Sequence, residues 1–350
     1  MKILITGNMG YVGPVVVERL SRSFPDADLI GLDIGYFAHC LVSNKPLPES
    51  RLSQQIFLDV RKIDETVFDG VDVIIHLAAI SNDPMGNAYE SLTYEINRES
   101  SVKIAEMAKR GGVKKFIFAS SCSVYGYAEG GARIESDSLN PLTAYAKSKI
   151  EVEQKLEKLS SGEFNVTALR FATACGASPR LRLDLVLNDF VASAMMHKKI
   201  DILSDGKPWR PLINVKDMAR AICWAIERDQ VADADVFLAI NVGSNEWNYQ
   251  VSDLAEAVCE IVPQTSVFIN KDAIPDKRSY KVSFDKFKSM APLHQPELTL
   301  NETIRQLAES FENITYRTEN FRESDIFIRL KTLNNLKDKE FLNSNLEWTN

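Results

Sequence analysis

Cysteine and histidine are both scarce in this chain of 350 residues, which has five of the first and four of the second. The cysteines (Cys40, Cys122, Cys175, Cys223, Cys259) are scattered, odd in number and never form a CxxC pair. That pattern argues against a disulfide framework and for a reducing compartment. No two histidines stand at HxH or HxxxH spacing, so the sequence predicts no metal site. No run of about 18 apolar residues is present, so no segment reads as a membrane-spanning helix. The opening Met-Lys-Ile-Leu-Ile-Thr-Gly has too short an apolar run for a secretory signal. The expected location is therefore the cytoplasm. Positive charge is not in surplus: 41 Lys and Arg against 48 Asp and Glu give a net charge of −7. That points away from nucleic acid as a partner and leaves room for an anionic small molecule held by a few arginines. Internal repeats and low-complexity tracts are absent too.

What is present is ordinary globular composition, 45% hydrophobic and 25% charged. Through the first 175 residues short Ile/Val/Leu/Phe-rich runs at 2–6, 28–33, 55–58, 71–77, 115–120 and 165–171 read as buried strands. Helical spacing at 15–23, 89–109 and 144–159 separates several of them. Repeating β-α units predict an α/β fold, a Rossmann-type doubly wound parallel sheet. After Gly176 the alternation loosens. The segment 180–191 is expected to lead into a helix, followed by a strand near 201–203, a helix over 215–228, a strand at 236–242 and a helix at 251–262. We read 1–176 as a dinucleotide-binding domain that also carries the catalytic residues. Residues 177–317 read as a smaller substrate-binding region interleaved with the sheet, and 318–350 as a charged, Asn-rich C-terminal extension of unassigned role.

The first strand runs into Thr6-Gly7-Asn-Met-Gly10-Tyr11-Val12-Gly13 and then a helix. Glycines there let the backbone turn tightly and approach a pyrophosphate seated on the helix N-terminus. The spacing is GxxGxxG rather than GxGxxG. Asp33 lies 20 residues beyond Gly13 at the end of the next strand. A carboxylate there accepts from a ribose 2′-hydroxyl and repels a 2′-phosphate, so NAD is expected over NADP. Such a turn can also serve tight packing alone, but strand, turn, helix and acidic residue all fall in order. Asp59 and Val60 after the third strand are candidates for contact with the adenine. Leu77, Ala78 and Ala79 after the fourth are candidates for close approach to the cofactor.

Tyr145 and Lys149 stand four residues apart in Asn-Pro-Leu-Thr-Ala-Tyr-Ala-Lys-Ser-Lys, hence on one helix face. An ammonium beside a phenol lowers its pKa from about 10 and makes it a proton-transfer group. The fifth strand ends in Ser120-Ser121-Cys122-Ser123-Val124-Tyr125-Gly126, where ligands bind in open α/β sheets. Together with His76-Leu-Ala-Ala79, these motifs resemble the extended short-chain dehydrogenase/reductase family, in its nucleotide-sugar epimerase/dehydratase branch, over about residues 1–315.

The resemblance implies Tyr145 as the proton-transfer residue at a sugar hydroxyl. It implies Lys149 on the nicotinamide ribose, Ser121 on the same hydroxyl, and backbone amides of Tyr11 and Val12 on the pyrophosphate. Asn97 matches the family's structural and cofactor-contacting Asn. The implied reaction is NAD-dependent epimerisation of a nucleotide-diphosphate sugar at C4 through a 4-keto intermediate. The alternative is a 4-dehydrogenase or 4-keto reductase with the same site. Relatives that dehydrate sugars carry Asp-Glu where this chain has Cys122-Ser123, so dehydration is not expected. Relatives that epimerise C3 or C5 carry a Cys at the position of Ser123. Cys122 is one residue early, which in a strand reverses the side chain, and we read it as structural. Asn188, Arg210 and Arg278 are candidates for the diphosphate of the sugar. Asp83 is either a sugar contact or an Asp-Pro turn, and His76 a strand-end residue without chemical duty. Arg180-Leu-Arg182-Leu-Asp184 is similar to a subgroup acting on bacterial polysaccharide sugars. The family's homodimer would pair the helices at 89–109 and 144–159.

Overall fold

The computed structural model describes residues 1–42, 46–128, 130–228, 236–270, 273, 279–314 and 320–349. Arg278 lies outside the described residues. The strands are β1 (Lys2–Thr6), β2 (Asp28–Asp33), β3 (Gln54–Phe57), β4 (Val73–His76), β5 (Lys115–Ser121), β6 (Asn165–Phe171), β7 (Thr173–Cys175), β8 (Lys199–Ile202), β9 (Trp209–Asn214), β10 (Phe237–Val242), β11 (Asn248–Gln250) and β12 (Ser266–Ile269). Seven of them make one sheet in the order β10-β6-β5-β4-β1-β2-β3, with every neighbouring pair parallel. Two small sheets, β11-β9-β7 and β12-β8, lie outside it.

Continuous apolar runs such as Lys-Ile-Leu-Ile-Thr in β1 suit a sheet covered on both faces. One core layer sets Val15, Val16 and Leu20 against Ile222 and Ile226 of the helix Val215–Glu227. The other gathers Phe68, Ile104, Phe116, Val152 and Leu156. The strand order reverses between β1 and β4, the switch point at which ligands enter this topology. The last strand of the main sheet, β10, comes from the region after Gly176.

Two expectations shift in the structure. The helical run predicted at 89–109 is helical over Glu90–Thr93, π-helical over Tyr94–Ser100 and helical again over Ser101–Arg110. Ser100 Oγ donates to the Glu95 carbonyl (3.0 Å) and Ser101 Oγ to that of Asn97 (2.7 Å), the local competition that loosens a helix. The helix into which 180–191 leads starts at Val186 and continues to His197. Before it, Arg180 and Arg182 make ion pairs with Glu49 and Asp184.

The C-terminal extension is also no loose appendage. Its helix Arg329–Asp338 buries Arg329, Thr332, Leu333 and Leu336, an i, i+3, i+4, i+7 stripe diluted by Lys and Asn. Leu333, Leu336, Leu342 and Leu346 belong to the same core as Tyr36, Val60 and Ile63.

Candidate active site

A cleft of about 860 Å3 opens at the C-terminal ends of the sheet strands. Its floor is the turn after β1. Gly7 has φ +75°, and a Cβ there would lie 2.6 Å from the backbone nitrogen of Ala78. Only glycine allows β1 and the segment after β4 to approach so closely. A Cβ on Gly10 would meet only the Gly7 carbonyl, at 3.3 Å, so its outer side is open. The helix Gly13–Ser23 that follows has no side-chain hydrogen bond at its N-cap, Val12. Its first N–H groups and positive dipole end are left for an anion. Gly7, Gly10, Tyr11, Val12, Gly13, Asp33, Asp59, Val60, Leu77, Ala78 and Ala79 all line the cleft. An open glycine turn, an uncapped helix start and a carboxylate after β2 fit a dinucleotide diphosphate and its ribose.

Several of these residues are held by bonds of their own. Asp33 accepts from the backbone N–H of Met9 (3.0 Å) and of Gly35 (2.7 Å), while burial pushes its carboxyl above the usual range. Asp59 is forked by Arg61 (2.6 and 2.9 Å), which leaves its position rather than a free carboxylate to shape the adenine end. Asn97 accepts from the Ile80 N–H (2.8 Å) and donates to the Ile80 carbonyl (2.9 Å), fixing the path of the chain just after Ala79. His76 is buried between Thr6 Oγ1 and Ser101 Oγ, both at 2.7 Å. Because Ser101 donates to Asn97, Nε2 of His76 carries the proton, and burial holds the ring neutral with a pKa of about 3. It ties β1 and β4 to the start of the helix Ser101–Arg110.

At the other end of the cleft stand Ser121, Tyr145 and Lys149. The helix Ala144–Leu159 starts beside the cleft because Thr143 caps it, Oγ1 accepting from the Ala146 N–H (3.2 Å). Tyr145 is hydrogen-bonded to Ser121, whose Oγ also accepts from the Ser123 N–H (3.1 Å). Burial pushes the phenol up to about 12, opposed by the Ser121 hydrogen bond and the Arg182 charge, with Asp83 raising it. Lys149 Nζ donates to the Ala119 carbonyl (2.7 Å) and lies 5.5 Å from the Tyr145 ring centroid. Its own charge is disfavoured by burial to a pKa of about 7, with Glu153 opposing. The Arg182 charge also favours the phenolate.

Lys149 makes a testable contribution to stability. Its pKa in the folded protein lies below the ordinary 10.5, so between about pH 7 and 10.5 the unfolded chain holds one proton more. Stability from this group therefore rises with pH across that window and is lowest below it. Melting curves at pH 7 and pH 9 should show a larger gain for the wild type than for Lys149→Met. Equal gains would mean that the ammonium is not desolvated.

The remaining candidates divide. Arg210 lines the cleft from β9, with Nη1 on the Trp209 carbonyl (3.0 Å). Asn188 does not line it. Its Oδ1 accepts from Gly176 N–H, and its amide donates to Tyr11 Oη (3.0 Å) and the Arg182 carbonyl (2.8 Å). Both amide donors are spent, so Asn188 positions the glycine turn against the loop at 176–182 instead of meeting a diphosphate. Asp83 opens the short helix Asp83–Ala88 after the cap Asn82 and also faces the cleft. Cys122 is fully buried with Sγ on the Arg170 carbonyl (3.0 Å), and burial raises its thiol pKa well above the ordinary range. Ser123 Oγ is buried without a hydrogen-bond partner in a residue that lines the cleft.

Sequence reasoning gave no cleft role to Arg182 or Asp184. Arg182 is forked by Asp184 (2.8 and 2.9 Å) and donates to Ser81 (2.9 Å), and Asn82 donates to Asp184 (2.8 Å). It also missed Arg322, Arg329, Leu333 and Leu346 of the extension, which line the cleft as well. The only sequence signal for the last three was the helical stripe at 329–336 and the leucines after it.

The model of the NAD dependent epimerase/dehydratase family matches residues 3–243. The chain is 30% identical over 258 residues to a Bacillus subtilis (strain 168) protein named an uncharacterized UDP-glucose epimerase, YtcB, covering 70% of this chain and 78% of that one. It is 26% identical over 326 residues to a putative UDP-glucose 4-epimerase of Methanocaldococcus jannaschii, covering 89% and 98%. In fold it is similar to the UDP-glucuronic acid 4-epimerase of Bacillus cereus solved with UDP-glucuronic acid and NAD. The TM-score is 0.76 at 21% identity, over 89% of this chain and 99% of that one. With a cleft built for a dinucleotide at the switch point of a seven-stranded parallel sheet, and with the family match spanning that sheet, this chain belongs to the NAD-dependent epimerase/dehydratase family of enzymes.

Proposed function

We propose that the enzyme epimerises a nucleotide-diphosphate sugar at C4 through a 4-keto intermediate, serving polysaccharide or deoxysugar synthesis in the cytoplasm. The observation that carries this reading is the hydrogen-bonded Ser121–Tyr145 pair facing the cleft, with Cys122 and Ser123 where a dehydratase needs carboxylic acids. The names of the relatives, 4-epimerases of UDP-sugars among them, favour a UDP-linked substrate. Five unpaired cysteines suit a reducing compartment, and no helix among the described residues is long and apolar enough to cross a membrane.

NAD, when bound, takes a hydride from the sugar carbon and returns it. The glycine turn and the helix start hold the diphosphate, and Asp33 takes the ribose hydroxyls and disfavours a 2′-phosphate. Ser121 orients the sugar hydroxyl. Tyr145 removes its proton as the ketone forms and gives one back as the ketone is reduced, with Arg182 favouring the phenolate form. Lys149 holds the nicotinamide ribose, and Arg210, with Arg278, takes the diphosphate of the sugar. Epimerisation then needs only that the keto sugar turn over before reduction.

Incubation with UDP-, GDP-, CDP- and dTDP-sugars plus NAD, read by mass and NMR, tests the reading. An isomer of unchanged mass without net NADH supports it. A product two hydrogens lighter with NADH makes the enzyme a dehydrogenase, and loss of water overturns the reading of Cys122 and Ser123.

A homodimer through the helical runs at 90–110 and 144–159 belongs to the same proposal. Among the described residues neither run exposes a large hydrophobic side chain, and the Arg98–Glu151 ion pair (2.8 Å) bridges them on the outer side. Light scattering should show a dimer, whereas a monomer would remove this part of the proposal.

A further inference from the structure

We propose that residues 320–349 are a wall of the dinucleotide site, with Arg329, Leu333 and Leu346 turned to the cofactor, and that this wall slows its release. This rests on the functional reading above and extends it, since an epimerase returns its hydride and has no need to release NAD.

The path of the segment is the first argument. At its start Arg322 forks Asp189 (2.7 and 2.9 Å), at the sugar end of the cleft. The Phe327 carbonyl then accepts from Leu183 N–H (3.1 Å). At its far end the Leu346 carbonyl accepts from Tyr36 Oη, and Trp348 Nε1 donates to the Ile34 carbonyl (2.7 Å), just beyond Asp33. The segment thus spans the cleft from the sugar side to the adenosine side. It is anchored at both ends, and Arg329 and Leu333 between the anchors line the cleft.

Charge is the second argument. The Arg329 guanidinium is 1% exposed and lies 4.8 Å over the Phe37 ring. Its hydrogen bonds run to the carbonyls of Ile326, Arg180 and Leu181, and no carboxylate pairs with it among the described residues. Its neighbours Arg180 and Arg182 each have a carboxylate, Glu49 and Asp184. A buried cation without a counter-charge is costly. An anionic dinucleotide in the cleft would offset that cost. Neutral backbone oxygens place the guanidinium but leave its charge for the ligand.

Retention follows from how such a site opens. Leu333 and Leu346 are buried in the core shared with Tyr36 and Val60, so the wall can swing away only by breaking its anchors and exposing those leucines together. Opening of this kind slows release more than it slows chemistry.

The test is exchange of bound NAD for deuterated NAD, followed by mass spectrometry on the full-length protein. Three forms are compared: wild type, Arg329→Gln, and Trp348→Ala, whose side chain anchors the far end from outside the cleft. Wild type should keep NAD through gel filtration and exchange it at least about tenfold more slowly than either variant. As a check without mutation, amide hydrogen exchange over 329–348 should slow when NAD saturates the wild type. Wild-type exchange as fast as that of both variants, or amides at 329–348 indifferent to NAD, would overturn the wall. Exchange is read without turnover, so the two readings fail separately. Slow exchange without epimerisation would leave the wall standing and remove the epimerase. Epimerisation with fast exchange would do the reverse.

Discussion

Replacing Tyr145 by Phe should lower turnover by about 10²–10⁴-fold, the usual contribution of a general acid–base group, and leave NAD binding intact. The substitution removes one oxygen atom. Phe keeps the same Cβ and ring, so no cofactor-lining backbone need move. Lost with the oxygen is the acceptor for the sugar proton and the partner of Ser121. Because hydride transfer from an alcohol requires that its proton leave, the ketone cannot form at a useful rate. NAD content after gel filtration, together with kcat on whichever nucleotide sugar turns over, decides the matter. Full activity in Tyr145→Phe would remove this residue from the mechanism. A variant without NAD would show instead that the phenol holds the cofactor.

Glu153→Ala should destabilise the fold by about 3–5 kcal/mol, the usual cost of leaving one partner of a buried ion pair alone. Glu153 sits one turn beyond Lys149 on the same helix and is 4% exposed, with Arg170 at 6%. Arg170 forks it with Nε at 3.1 Å and Nη2 at 2.7 Å, and Ser120 Oγ donates to the same carboxylate. Removing the carboxylate leaves the guanidinium of Arg170 charged in the core, sharing only Tyr125 Oη and the Glu135 carbonyl. Natural domains hold only about 5–15 kcal/mol in all, so the urea midpoint at fixed NAD concentration should fall far. A midpoint within experimental error of wild type would mean that water reaches Arg170. The same substitution removes the charge that keeps Lys149 partly protonated. The Lys149 pKa should therefore fall further, and the rise of stability with pH should begin at lower pH.

Much of the site was legible from residue spacing because it depends on local geometry. A glycine turn between strand and helix needs no distant partner to be recognised, and its open outer side at Gly10 follows from the missing side chain. Tyr145 and Lys149 share a helix face by periodicity alone. Cys122 reads as structural from a one-residue slip in a strand; the structure instead starts a 3-10 turn, Cys122–Tyr125, at this residue and buries it with Sγ on the Arg170 carbonyl.

Other roles depended on contacts between residues far apart in the chain. Asn188 was expected at a diphosphate, but a side chain with two amide donors serves whichever acceptors the fold brings near. Here these are Tyr11, 177 positions away, and Arg182. The Lys149 Nζ also donates to the Ala119 carbonyl on β5, and its charge is weakened by burial, which no i, i+4 argument contains.

The sequence by itself determined the seven strands of the main sheet in chain order, the glycine turn, the acid after β2 and the Tyr–Lys pair on one helix face. All of these follow from short-range periodicity and backbone freedom. Tertiary structure alone decided where the Lys149 ammonium donates, what Asn188 holds, and that residues of the 320–349 segment line the cleft. Burial and long-range electrostatics depend on what packs against a residue, and a chain read in one dimension does not carry that information.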